Sequence, residues 1–283
     1  MFKHRAMFSM IIMARVLKVS RSGYYRWCQQ KDITGVRTQR KNVIDATVKS
    51  AFIASKERYG ADRIFAELED QGVWLNIKTI RESLKRQGLV AKAARLFKVT
   101  TDSNHAQPVA PNLLERNFTA TKPNEKWVSD ITYIHTTEGW LYLAMIIDLF
   151  SRNVVGWSMS ENIDAELVGD ALTMALWRRK FPADVIVHSD RGSQYASNAF
   201  RKILAENQLV QSMSRKGDCW DNACAESFFH SLKVELIFGE PLQSREKTRE
   251  AIFEYIEVDY NRNRRHSANG FMSPECFEKK FVS

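Results

Sequence analysis

Val185-Ile-Val-His-Ser-Asp190-Arg-Gly-Ser-Gln-Tyr195 is the stretch from which the rest of the chain is read. It reads as a short buried strand, Val185 to Val187, that ends on a carboxylate and opens into a Gly-Ser turn. A continuous apolar run marks a strand covered on both faces. An Asp at the mouth of such a strand is poorly placed for packing and well placed for holding a cation. After it, 35 residues intervene before Glu226 in Asn222-Ala-Cys-Ala-Glu-Ser-Phe-Phe-His-Ser-Leu-Lys233. A third acid, Asp130, lies upstream in Trp127-Val-Ser-Asp-Ile-Thr-Tyr-Ile134, which alternates like a strand. Two strand-borne aspartates and one helix-borne glutamate are expected to converge on a pair of divalent metals.

The flanking pattern supplies the elements. Lys126 to Ile134 reads as a first strand, and His135 to Trp140 as a turn containing Gly. Leu141 to Phe150 and Asn153 to Met159 read as second and third strands, the three forming an antiparallel meander. Asp164 to Lys180 is a helix with Leu167, Val168, Ala171, Leu172, Ala175 and Leu176 on one face. Asp184 to Ser189 is the fourth strand, Asn198 to Asn207 a helix and Leu209 to Ser214 a fifth strand. Ala223 to Phe238 is a long helix carrying Glu226. The predicted fold is α/β: a ribonuclease-H-like core, a mixed five-stranded sheet flanked by helices, preceded by all-α helix-turn-helix units.

Charge separates the two parts. Residues 1–105 hold 21 Lys and Arg against 9 Asp and Glu, whereas the remainder holds 21 against 24. The excess positive charge of a chain with net charge +9 is therefore N-terminal, as a polyanion-binding module requires. Ile11, Ile12, Val16 and Leu17 share one helical face, and Ser20 caps a second helix that begins with Arg21 and carries Tyr24, Tyr25 and Trp27. A second pair is clearer. Ala61 to Gln71 is a helix, Gly72 to Asn76 a turn, and Asn76 caps a helix with Ile77, Ile80 and Leu84 inward. Lys78, Arg81 and Lys85 point outward and Gly88 ends it. An exposed basic face on a second helix suits major-groove docking, and a solvated surface has the same pattern. The domains are read as 1–40, a first helix-turn-helix-like unit; 41–98, a second; 99–120, a linker; and 121–283, the core with a helical extension.

Four Cys in 283 residues do not make a disulfide framework. No apolar run approaches the ~20 residues that span a bilayer, and the N-terminus lacks a cleavage site, so a cytoplasmic, nucleoid-associated protein without membrane contact is expected. Cys219, Cys224, His230 and His188 lack the usual spacing of a structural zinc site. The helix from Arg245 to Tyr260 is read as packing. His266, in the Arg264-Arg-His tail, is either a DNA contact or part of a solvated cluster.

Trp127-Val-Ser-Asp130-Ile-Thr-Tyr, Asp148-Leu-Phe-Ser-Arg152, His188-Ser-Asp190-Arg-Gly-Ser-Gln-Tyr195 and Asp221-Asn-Ala-Cys-Ala-Glu226-Ser-Phe-Phe resemble the integrase catalytic core. With the tail Tyr260-Asn-Arg-Asn-Arg-Arg265-His-Ser-Ala-Asn-Gly-Phe-Met-Ser-Pro274-Glu-Cys-Phe277, the chain resembles the downstream (OrfB) product of the two-frame bacterial insertion-sequence transposases over nearly its whole length. Ser129 and Asn269 depart from the commoner pattern. The resemblance implies catalytic, metal-binding roles for Asp130, Asp190 and Glu226, and a DNA contact at Lys233. It also implies nicking of element ends, strand transfer by transesterification and a strand-circularised intermediate. The partners it implies are DNA, as terminal inverted repeats and target, an upstream-frame product or fusion with it, and further copies of the chain on synapsed ends.

The chemistry stands without the resemblance. Phosphodiesters resist attack because they are anionic, and two Mg²⁺ ions, with Mn²⁺ expected to substitute, offset that charge. Hard cations take carboxylate oxygens rather than thiols. Lys233, seven residues after Glu226, falls on the same helical face. Two other readings remain open: a ribonuclease-H-like structure-specific nuclease, and a non-catalytic DNA-binding regulator derived from a transposase.

Overall fold

The computed structural model describes residues 1–30, 36–92, 108–215 and 219–282. The chain divides into two compact units, Met1–Ala91 and Lys92–Ser283. The expected linker lies partly outside the described residues, at 99–107.

The described residues of the first unit hold helices and no strand: α1 (Met10–Val16), α2 (Arg21–Gln30), α3 (Val36–Ala54), α4 (Ala61–Asp70) and α5 (Ile77–Gln87). Ser20 caps α2, its Oγ accepting from Gly23 N at 3.0 Å. Asn76 caps α5 by accepting from Lys78 N at 2.8 Å, and Gly88 ends it with φ 65°. Val48 and Phe52 of α3 pack with Ile64, Leu68 and Ile80 of α4 and α5. Asp45 of α3 accepts from Ser83 and Arg86 of α5. α3 is an element the periodicity did not reveal, and it runs through residue 40, where a boundary was expected. The α1 face of Ile11, Ile12, Val16 and Leu17 is not core, because all four are exposed.

The second unit holds a mixed sheet of β1 (Lys126–Thr136), β2 (Gly139–Asp148), β3 (Val154–Ser160), β4 (Ile186–Ser189) and β5 (Val210–Met213), in the order β3-β2-β1-β4-β5. β1 and β2 pair antiparallel, as do β2 and β3, whereas β1, β4 and β5 run parallel. The expected ribonuclease-H-like order is what forms. Interleaved are α6 (Ala165–Arg178), α7 (Ser193–Ala196), α8 (Asn198–Glu206), α9 (Ala223–Leu232), α10 (Arg245–Glu254) and α11 (Pro274–Val282). The expected Gly-Ser turn after Asp190 leads directly into α7.

Alternation along β1 assigns each face a core. Trp127 and Ile131 pack with Leu172, Ala175 and Phe200 of α6 and α8. Val128 and Ile134 pack with Phe228, Leu232 and Tyr255 from α9 and beyond. Gly156 of β3 permits the close approach of α6, since a Cβ there would lie 2.2 Å from Ala171 O. No helix among the described residues is long and apolar enough to cross a membrane.

Candidate active site

Asp130 and Asp190 are brought together by strand register. Trp127 pairs with Val187 and Val128 with His188, the last pair of this ladder, and a continuation of that register by two residues brings Asp130 toward Asp190, whose charge acts on it. Asp130 belongs to the β1 residues that face α9. Its Oδ1 accepts from Ile131 N at 2.8 Å, and Asp190 Oδ1 accepts from Gly192 N at 2.9 Å. Gly192 leaves room for that turn, because a Cβ would come 3.1 Å from Asp190 Oδ1.

Buried hydroxyls hold the loop against the sheet. Ser129 Oγ donates to Met145 O at 3.0 Å and so accepts from Tyr195 Oη at 2.9 Å. Ser129, one of the two departures, thus has a structural role beneath the acids. His188 is fully buried between Ser212 and Ser214 Oγ, at 2.8 and 3.2 Å, and burial lowers its pKa to about 4.

The third acid comes from α9. Asp221 and Asn222 set its start: Asn222 Nδ2 donates to Ser129 O at 3.2 Å, and the buried Asp221 accepts from Asn112, Arg116 and Arg215. Ala225, Phe228, Phe229 and Leu232 face the core, leaving Glu226 on the open side. Burial, then the charges of Asp190 and Glu226, push the Asp130 carboxyl well above its ordinary range. Glu226 is raised by burial. The cluster is not a closed cage, for among the described residues no three His, Cys, Asp or Glu side chains are poised to hold a metal ion.

Lys233 also reaches the site. It is buried, its Nζ lies 5.0 Å from the Tyr133 ring centroid, and the charge of Asp130 acts on it. Burial lowers its pKa to about 8, with Asp130 opposing. Contrary to the expected uninterrupted helix, the chain from Lys233 to Ile237 is wound as π-helix. That turn is clamped by Arg264, whose Nε lies 3.0 Å from both Glu235 oxygens and whose NH2 donates to Ser231 Oγ at 2.9 Å. Tyr255 Oη donates to Glu235 Oε2 at 3.0 Å. Of the tail expected to meet DNA or solvent, Arg264 is buried and structural. Asn269, the other departure, is buried too and donates to Ser151 O at 2.6 Å.

Cys224 receives a hydrogen bond from Arg152 at 2.9 Å and packs beside the core, His230 is exposed, and the Cys219 side chain lies outside the described residues. Arg21, Lys78, Arg81 and Lys85 are exposed in the first unit, Arg81 pairing with Asp62 at 3.2 Å. Nothing in periodicity indicated the Ser129–Tyr195 and Glu235–Arg264 pairs, which join distant parts of the sequence.

Comparison with known proteins gives the chain's relatives. Family models described as "Integrase core domain" match residues 120–219 and 226–281, and one described as "HTH-like domain" matches 38–96. Transposase InsF for insertion sequence IS3A of Escherichia coli (strain K12) is 56% identical over 98% of this chain and 96% of its own length. The insertion element IS600 31 kDa protein of Shigella sonnei is 44% identical over 95% of this chain and 98% of its own. Among solved structures, a chain of the simian T-cell lymphotropic virus intasome in complex with PP2A regulatory subunit B56 gamma superposes with a TM-score of 0.47 at 16% identity. It covers 75% of this chain and 69% of that one. The HTLV-2 integrase catalytic core domain in complex with magnesium gives 0.42 at 14%, covering 56% and 98%.

Proposed function

The chain belongs to the family of insertion-sequence IS3 transposases, and from that premise we propose that Asp130, Asp190 and Glu226 are its catalytic carboxylates. They would nick the ends of a mobile element and join the freed 3′ hydroxyl to another phosphodiester. What carries this is the β1–β4 register that brings Asp130 toward Asp190, with Glu226 near enough for its charge to act on Asp130.

The donor set is all carboxylate, which suits a hard cation and not a thiophilic one. Two Mg²⁺, or Mn²⁺ in their place, would supply charge neutralisation, activation of a water or 3′ hydroxyl, and stabilisation of the leaving oxygen. The protein's part is positional. The β1–β4 register fixes two of the acids, and Asn222 anchors the start of α9 so that Glu226 projects toward them. Lys233, already beside Asp130, offers its ammonium to a phosphate next to the reacting one.

The first unit grips DNA. Lys78, Lys85 and Arg21, with Arg81 in a lesser role, contact phosphate or base edges of the terminal repeats. We assign residues 1–40 and 41–98 to two such units within one compact body, with α3 spanning their boundary, 99–120 to a linker and 121–283 to the catalytic part. Synapsis of two ends makes the working species an oligomer, and fusion with an upstream-frame product completes end recognition. The molecule works in the cytoplasm, on the nucleoid.

Labelled element-end DNA, Mg²⁺ and the chain with its upstream partner provide the test. The native protein yields nicked and joined products, and Asp190→Asn yields neither while binding equally. Nicking without joining indicates a nuclease. Binding without cutting by the native protein indicates a regulator.

A further inference from the structure

An aromatic groove lies further along β1 from Asp130, with Lys233 in its lining. Beyond Val128 the recorded pairing of β1 with β4 stops, and the β1–β2 hairpin continues past the sheet's centre. There the rings of Tyr133 and Trp140 meet edge to face with centroids 5.0 Å apart, and those of His135 and Trp140 lie 4.9 Å apart. Ile237 and Phe238 stand across from them, and with Lys233 they line a groove of about 430 Å³. Tyr133 is three residues past Asp130, about 10 Å along the strand.

Two features separate this groove from ordinary packing. Trp140 is 46% exposed, so a large apolar ring is held in place by its neighbours while part of it faces water. Lys233 belongs to both places, over the Tyr133 ring and beside Asp130. The one acid of the lining, Glu240, is paired with Lys92 at 3.2 Å and does not oppose an anion freely. A flat aromatic face with a cation at one end matches a nucleotide, base on the ring and phosphate on the ammonium.

We propose that this groove takes one unpaired nucleobase of the DNA strand beside the reacting phosphate, stacked on the exposed Trp140 ring that Tyr133 holds edge to face, with the adjoining backbone phosphate at Lys233. The inference rests on the phosphoryl-transfer reading for its setting. A duplex end would have to open there, which is how proteins commonly gain access to a strand held in a helix.

The test is a cycle of protein and base deletions, read as binding affinity by fluorescence anisotropy with the full chain. The probes are a thymidine oligonucleotide and an abasic oligomer of equal length. Base–aromatic stacking predicts that the native chain binds the thymidine strand about fivefold or more tightly than the abasic one. Trp140→Ala is expected to lose that preference while binding the abasic strand as the native chain does, and Trp140→Phe to retain most of it. Equal losses on both strands, no loss on either, or no native preference would overturn the proposal. Mg²⁺-dependent nicking is measured in parallel. Nicking without the base preference sinks the groove alone, whereas the base preference without nicking sinks the catalytic reading alone.

Discussion

Asp221 and Asp148 are both shut off from water, and their carboxyls are pushed in opposite directions. Asp221 accepts from Arg215, Arg116 and Asn112, and those partners hold it well below the usual carboxylate range. Asp148 has backbone donors from Asn124 and Phe150, at 2.8 and 3.0 Å, but burial prevails and raises it to about 6. The linkage signs follow. The contribution of Asp221 is present above its unfolded pKa of about 4 and is lost as pH falls below it. That of Asp148 is fully present below about 4 and is lost as pH rises through about 6. In urea titrations across this range, Asp221→Asn is expected to lower stability at neutral pH and flatten the loss on the acid side. Asp148→Asn is expected to flatten the change between about 4 and 6. An unchanged acid limb in Asp221→Asn would show that its arginine contacts do not survive in solution. At this scale the elements that carry the acids were legible. Alternation placed Asp130 on a strand, and the apolar run Val185–Val187 made Asp190 stand out. The role of Arg264 was not legible, because nothing local distinguishes a buried arginine from a solvated one, and its partner Glu235 lies 29 residues earlier.

Among the elements, the π turn after α9 says most about how the site is held. A π segment admits one extra residue per turn and often marks a functional place in a helix. Here it begins at Lys233, and Glu235 within it is tied to Arg264 at 2.7 Å with both side chains under a tenth exposed. Glu235 more than offsets the burial that opposes the charge of Arg264, whose pKa is raised. Arg264→Ala takes from the buried Glu235 carboxylate its arginine, leaving the Tyr255 hydroxyl, and is predicted to cost about 3 kcal/mol in denaturant unfolding. Pairing it with Glu235→Gln is predicted to recover part of that loss. A cost of the single change under about 1 kcal/mol would mean that the pair is open to water. The π turns at Lys233–Ile237 and Tyr255–Asn263 were not legible, since a helical apolar pattern continues smoothly through them. α3 was missed because only Val48, Ala51 and Phe52 of its 19 residues are buried. The apolar face of α1 misled in the other direction: the pattern was real, and the described chain does not cover it.

Across the whole molecule, charge and catalysis are divided between two units. The basic excess lies before residue 106, and the carboxylates lie after it. Binding should therefore depend on salt through the first unit. Removing Lys78 or Lys85 is predicted to lower the slope of log affinity against log salt by about 1 each, uniformly across DNA sequences. Arg81→Ala should lower it less, because Arg81 already pairs with Asp62. Anisotropy over a salt series measures both, and unchanged slopes in the two lysine variants would move the DNA contact elsewhere. This division was legible in composition, and the order of strands and helices carried the fold. The groove at Trp140 was not, because β-hairpin register and a π turn 93 residues further on must both be known before Lys233 and Trp140 meet.

The central claim is that Asp130, Asp190 and Glu226 bring divalent metal to the reacting phosphate. Its most direct test is nicking of an element end with sulfur in place of one non-bridging oxygen at that phosphate, in Mg²⁺ and in Mn²⁺. Sulfur is a poor ligand for Mg²⁺ and a better one for Mn²⁺. The account predicts that one sulfur stereoisomer is cut far more slowly in Mg²⁺ and recovers in Mn²⁺, and that Asp190→Asn cuts neither. Nicking that ignores both the sulfur and the metal, or that persists in Asp190→Asn, would contradict it.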